Sequence, residues 1–175
     1  VAAARASVVG GFVGTSNLEA GLLYGSPTVG TSAHSFTLLH DSEEDAFAAQ
    51  VASLGPSTTI LVDTYDIATG VERAVKAARA AGGELGAVRL DSGDLVAEAF
   101  KVRAQLDTLG ATSTKITVTN DLDEHAIAAL GAAPVDSYGV GTKLVTGSGR
   151  PTAALVYKLV ERAGADGVMQ EVAKF

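Results

Sequence analysis

A chain of 175 residues with a net charge of −7 has room for one domain with a sizeable core; its Lys and Arg residues are scattered and form no basic stripe among aromatics, which argues against nucleic acid as a partner. With no cysteine, disulfides and thiolate metal sites are excluded, as a reducing cytoplasm would allow. No apolar run approaches the ~20 residues of a membrane span, and 47% apolar content with 5% aromatics describes an α/β protein packed through small residues.

In chain order, ASVVGGF (6–12) reads as a strand, NLEAGLLYG (17–25) as a helix and PTVGT (27–31) as a second short strand. SEEDAFAAQVASLG (42–55) reads as a helix. A regular beat follows: strand TTILVDTY (58–65), helix IATGVERAVKAARAAG (67–82), strand LGAVRLD (85–91), helix LVAEAFKVRAQLDTLG (95–110), strand TKITVTN (114–120), helix LDEHAIAALGAA (122–133) and strand SYGVGT (137–142). Unbroken apolar strands alternating with amphipathic helices predict parallel strands joined by crossovers. Asp63, Asp91 and Asn120 close successive strands about 28 residues apart, the length of one βα unit. TGSGRP (146–151) is a turn candidate, and AALVYKLVER (153–162) reads as a final strand.

The fold expected is therefore α/β, an irregular or incomplete barrel of repeated βα units, forming a single domain over residues 1–175. A complete eight-unit barrel takes ~250 residues. The start at Val1, inside an apolar run, adds to the expectation of a fragment.

Each expected strand ends in a polar cluster: GTSN, GTSAHS, DTYD, RLDSGD, TNDLDE and GVGT. In parallel α/β folds ligands gather at that edge. Such residues also cap helices and make turns wherever they occur, so the weight lies in six clusters on one edge. GVGT (139–142) brings small residues whose backbone can approach a phosphate. In RLDSGD (89–94), Arg89 presents a planar fork suited to a carboxylate or phosphate, while Asp91 and Asp94 suit ribose hydroxyls or magnesium; a strand-end salt bridge with helix capping is the structural alternative. His34 follows Gly30 and Thr31 on what reads as a strand-end loop, whereas His40 and His125 stand beside acidic helix starts and read as surface residues. ILVDTYDIATG (60–70) is similar to the diphosphate loop of type I phosphoribosyltransferases, but Thr64 replaces the second acid and VER follows Gly70 in place of further donors, so that match is superficial.

Taken in order, GGFVGTSN, GTSAHSF, ILVDTYD, VRLDSGDL, TNDLDE, YGVGTKL and LVYKLVE resemble the nicotinate phosphoribosyltransferases, of the type II phosphoribosyltransferase family, over nearly the whole chain. The resemblance implies transfer of the ribosyl phosphate of phosphoribosyl pyrophosphate to nicotinate. Nicotinate mononucleotide and pyrophosphate are the products, in NAD biosynthesis. It further implies ATP as co-substrate, hydrolysed through a phosphorylated histidine, and Mg2+. By this resemblance His34 is the phosphohistidine and, with Asp91, catalytic. Thr31 and Arg89 contact nicotinate, with Ser35 adjoining the histidine. Thr142 and Gly141 hold the phosphoribosyl group, and Asn120, Asp121 and Asp91 line the ribose.

Nicotinamide-using relatives carry an acid where Ser16 stands, so Ser16 favours nicotinate over the amide. The resemblance implies a cytoplasmic homodimer whose full chain has an N-terminal domain and a C-terminal end not evident here. A nicotinamide phosphoribosyltransferase, and a barrel that binds phosphoribosyl ligands without turnover, are the alternatives.

Overall fold

The structure, a computed structural model, describes every residue except Ser148, Arg150 and Phe175, so part of the turn expected at 146–151 lies outside the described residues. Two compact units result, Val1–Thr31 and Ser32–Phe175.

In the first unit, helix α1 (Ala2–Val9) replaces the strand expected at 6–12. Alanine is the strongest helix former, and Ala2, Ala3, Ala4 and Ala6 carry Val8 and Val9 along. Asn17 caps helix α2 (Leu18–Tyr24) by accepting from the Ala20 N–H. The strand expected at 27–31 is reduced to one parallel bridge, Thr15 with Thr28. The Arg5 guanidinium lies 5.5 Å from the centre of the Tyr24 ring.

The second unit opens with helices α3 (His34–Leu38) and α4 (Glu43–Leu54). The expected βα beat then appears: β1 (Thr59–Leu61), α5 (Ile67–Ala80), β2 (Ala87–Leu90), α6 (Leu95–Thr108), β3 (Lys115–Val118), α7 (Glu124–Ala129) and β4 (Ser137–Tyr138). All four strands are parallel, in the order β1-β2-β3-β4. Sequential neighbours with no reversal are how one arc of an α/β barrel is built. Helix α8 (Thr142–Thr146) follows, and β5 (Glu161–Ala163) pairs antiparallel with β6 (Met169–Glu171). The strand expected at 153–162 is thus confined to its last two residues; Leu155, Val156 and Tyr157 extend exposed, without a ladder to join.

Strand side chains alternate between faces. Ile60, Val62, Val88, Leu90, Ile116 and Val118 point one way and form the core with Phe47 and Val51 of α4, Val71 and Ala74 of α5, and Val102 and Leu106 of α6. The other face presents Leu61, Arg89 and Thr117, partners in register. Gly70 lets α5 press on β1, because a Cβ there would strike the Val62 carbonyl oxygen. Among the described residues no helix is long and apolar enough to cross a membrane.

Candidate active site

Register builds the site. Thr59 is level with Ala87, and Ala87 with Lys115, a step of 28 each time. Continued past the strand ends, that step sets Asp63, Asp91 and Thr119 in one row at the C-terminal edge of the sheet. By alternation they share a face with Arg89. Backbone bonds carry the ladder to this row: the Val62 N–H donates to Arg89 O at 3.2 Å, and the Thr119 N–H to Leu90 O at 2.9 Å.

Asp63 is the buried anchor, its side chain 1% exposed. Its Oδ2 accepts the Asp91 N–H at 2.8 Å and the Ser92 hydroxyl at 2.6 Å. Its other oxygen, Oδ1, is buried with no hydrogen-bond partner among the described residues and lies 3.9 Å from His34 Nε2. A buried carboxylate oxygen left this way carries a desolvation cost.

Asp91 joins the two ends of the cluster. Its Oδ1 accepts from Arg89 Nη2 at 3.0 Å and from the Thr119 hydroxyl, and its Oδ2 lies 3.6 Å from His34 Nε2. Burial opposes its ionisation, but hydrogen bonds from Thr119 and Arg89, with the Arg89 charge, outweigh that and hold its carboxyl well below the usual range. Arg89 also donates from Nε to Thr119 Oγ1 at 2.9 Å and from Nη1 to Ser32 O at 3.3 Å. Thr119 therefore accepts from the cation and donates to the anion, fixing the plane of the guanidinium.

His34 is the first residue of α3, which corrects its expected place on a loop. Its Nδ1 is 3.1 Å from the buried Thr64 hydroxyl, and its Nε2 is 3.1 Å from Lys174 Nζ. Lys174 also donates to Ser92 Oγ at 3.1 Å and stands 3.9 Å from Asp63 Oδ2.

Of the residues singled out from sequence, the structure brings His34, Arg89 and Asp91 into one cluster. Ser35 follows His34 on α3. Asn120 and Asp121 come just past the row, exposed, with φ of 100° and 47°. Such angles are uncommon outside glycine, and Asn and Asp tolerate them best. Gly141 and Thr142 begin the short helix α8 after β4. Ser16 and Thr31 belong to the first unit. Asp94 takes the structural alternative, capping α6 by accepting the Ala97 N–H at 3.1 Å. His125 is exposed as expected, with its side chain 89% accessible. His40 is only partly exposed, bonding through Nδ1 to Phe36 O at 2.8 Å with its ring against Phe36.

Sequence reading missed Thr119, Thr64, Ser92 and Lys174 as site residues, and noted Asp63 only as a strand end. The step of 28 from Asp63 to Asp91 would have pointed to Thr119; nothing in the sequence marks Lys174.

No family model matches the chain. Among curated proteins, it is 59% identical over 172 residues to the nicotinate phosphoribosyltransferase pncB1 of Mycobacterium tuberculosis, covering 94% of this chain and 38% of that protein. It is 41% identical to the nicotinate phosphoribosyltransferase of Bacillus subtilis, with coverage of 90% and 33%. The human nicotinate phosphoribosyltransferase is 31% identical, with coverage of 90% and 40%. The chain thus spans well under half the length of these relatives. Among solved structures, a nicotinate-nucleotide pyrophosphorylase from Pyrococcus furiosus superposes with a TM-score of 0.73 at 25% identity, covering 97% of this chain and 48% of that one. A nicotinate phosphoribosyltransferase from Porphyromonas gingivalis gives 0.76 at 22% identity, covering 91% and 44%, a likeness of fold. The likeness read from the motifs therefore extends over nearly the whole chain.

Proposed function

We propose that this chain carries the central substrate-binding part of a nicotinate phosphoribosyltransferase, its four strands forming one arc of an α/β barrel. The observation that carries the reading is the meeting of His34, Asp63, Arg89 and Asp91 at one sheet edge, in a chain 59% identical to a protein of that name.

In this reading the nicotinate carboxylate docks on the Arg89 side of the cluster, where a guanidinium of fixed plane offers charge-assisted hydrogen bonds of about 1.5–3 kcal/mol each. By the motif resemblance, Ser16 and Thr31 also serve nicotinate, and Ser16 in place of an acid disfavours the amide. The phosphoribosyl group extends toward Asn120, Asp121, Gly141 and Thr142. The bond from the ribose anomeric carbon to the diphosphate breaks and pyrophosphate leaves with the electron pair, while the pyridine nitrogen forms the new carbon–nitrogen bond. Positive charge developing on the sugar is favoured by the carboxylates of Asp63 and Asp91.

Among the described residues no three side chains are grouped to hold a metal ion. These residues would therefore not hold magnesium by themselves; the ion, which the motif resemblance implies, would come with the diphosphate and neutralise the charge of the leaving pyrophosphate. ATP is a co-substrate through phosphorylation of His34. Homodimerisation completes the site in the longer protein.

Calorimetry with phosphoribosyl pyrophosphate, run beside a turnover assay, tests the reading. Saturable binding lost in Asp91→Ala supports it. Binding unaffected by Asp91→Ala and Arg89→Ala contradicts it, and binding without turnover in the longer protein would favour a non-catalytic barrel.

A further inference from the structure

The two nitrogens of His34 have different partners. Lys174 reaches Nε2 at 3.1 Å, and an ammonium can only donate. Nε2 must then present its lone pair, so the ring proton sits on Nδ1 and is donated to Thr64 Oγ1 at 3.1 Å. Without Lys174, the nearest groups to Nε2 would be Asp91 Oδ2 at 3.6 Å and Asp63 Oδ1 at 3.9 Å. Two carboxylates accept, and they would draw the proton to Nε2, closing the lone pair that a phosphoryl acceptor needs. The tautomer of a histidine follows the hydrogen bond made by its other nitrogen.

We infer that Lys174 is a positioning residue that selects the Nδ1-protonated tautomer of His34 and so makes Nε2 its nucleophilic nitrogen. Lys174 is placed for this task. Its ammonium is anchored by Ser92 Oγ at 3.1 Å and lies 3.9 Å from Asp63 Oδ2, and its side chain is 26% exposed. Ser92 is tied in turn to Asp63, so the lysine reads its position from the same row that holds Asp91. The inference deepens the proposed reaction and rests on it for the identity of the electrophile. In that reaction the Nε2 lone pair forms the nitrogen–phosphorus bond to the γ-phosphorus of ATP. The bond from phosphorus to the bridging oxygen breaks, ADP leaves with its electrons, and Nδ1 keeps its proton on Thr64. The lysine charge also faces the incoming γ-phosphate.

The test is nitrogen NMR of the full chain labelled in its three histidines, at about pH 8 where an ordinary imidazole is neutral, with His34→Gln assigning the signals. The result expected is a pyrrole-type Nδ1 and a pyridine-type Nε2 for His34 in the parent. Lys174→Met and Lys174→Gln, with His125 unmoved as an internal control of the fold, shift His34 toward the Nε2-protonated form, and Lys174→Arg retains the parent pattern. A parent already protonated at Nε2, or a tautomer unchanged in both neutral variants, overturns the inference. The readout needs no phosphate transfer, so its failure is distinct from failure of the phosphoryl reading. A parallel assay with labelled ATP reports on that reading alone.

Discussion

The carboxylate of Asp63 accepts the backbone N–H of Asp91 at 2.8 Å, so the acids that end two neighbouring strands are locked into one row. The same oxygen takes the Ser92 hydroxyl. The arrangement makes Asp63 the support of the loop after β2, while Asp91 turns outward to Arg89 and His34.

Asp63→Ala removes the one oxygen that accepts both the Asp91 N–H and the Ser92 hydroxyl. A loss of about 1–3 kcal/mol is expected, from the general cost of leaving a buried donor or acceptor unpaired. Chemical denaturation measures it. A midpoint equal to that of the parent would remove Asp63 from its supporting role.

Arg89→Ala is expected to weaken nicotinate binding about 10- to 100-fold, the equivalent of about 1.4–2.7 kcal/mol, and phosphoribosyl pyrophosphate binding by much less. Separate titrations with the two ligands check this. Equal losses would show that Arg89 serves mainly to hold Asp91 and Thr119.

The acidity of Asp91 predicts a pH signature. Burial raises its pKa, but the hydrogen bonds from Thr119 and Arg89 outweigh that and leave the folded value below the ordinary 3.8. A depressed carboxyl stabilises the fold above the unfolded value, and that contribution fades as pH falls below 3.8 through the folded value. The melting temperature of the parent should exceed that of Asp91→Asn by a constant margin from about pH 5 to 8, and the margin should narrow under stronger acid. A margin that widens on acidification contradicts the assignment.

Gly70→Ala drives a methyl group into the Val62 carbonyl oxygen where α5 meets β1. Strain of this kind costs about 1–3 kcal/mol. Gly131→Ala has no atom within 4 Å of the new methyl, and should fall within about 0.5 kcal/mol of the parent. Thermal melts of the two variants side by side decide the matter; equal stabilities would refute the close approach.

The sequence made the βα beat from 58 to 138 legible because two signals agreed there, unbroken apolar strands and helices with a single buried stripe. Capping residues agreed as well: Ser42, Asp66, Asp94 and Asp123 each accept from the first turn of the helix they precede. Residues 6–12 misled because the helix preference of the preceding alanines outweighs two β-branched valines. Residues 153–160 have the composition of a strand, but strand formation also requires an edge to pair with. Within the site, the motif TNDLDE points to Asn120, whereas Thr119 is the residue level with Asp91; a slip of one position reverses the face of a strand. Lys174 lies 140 positions from His34, and only the fold brings them together.

The most direct test is product formation from phosphoribosyl pyrophosphate and ATP by a polypeptide that carries these residues at the full length of the relatives, offered nicotinate and nicotinamide in parallel. The account predicts nicotinate mononucleotide from the acid, little product from the amide, and loss of activity in Asp91→Ala. No product from nicotinate, or a preference for nicotinamide, would contradict it.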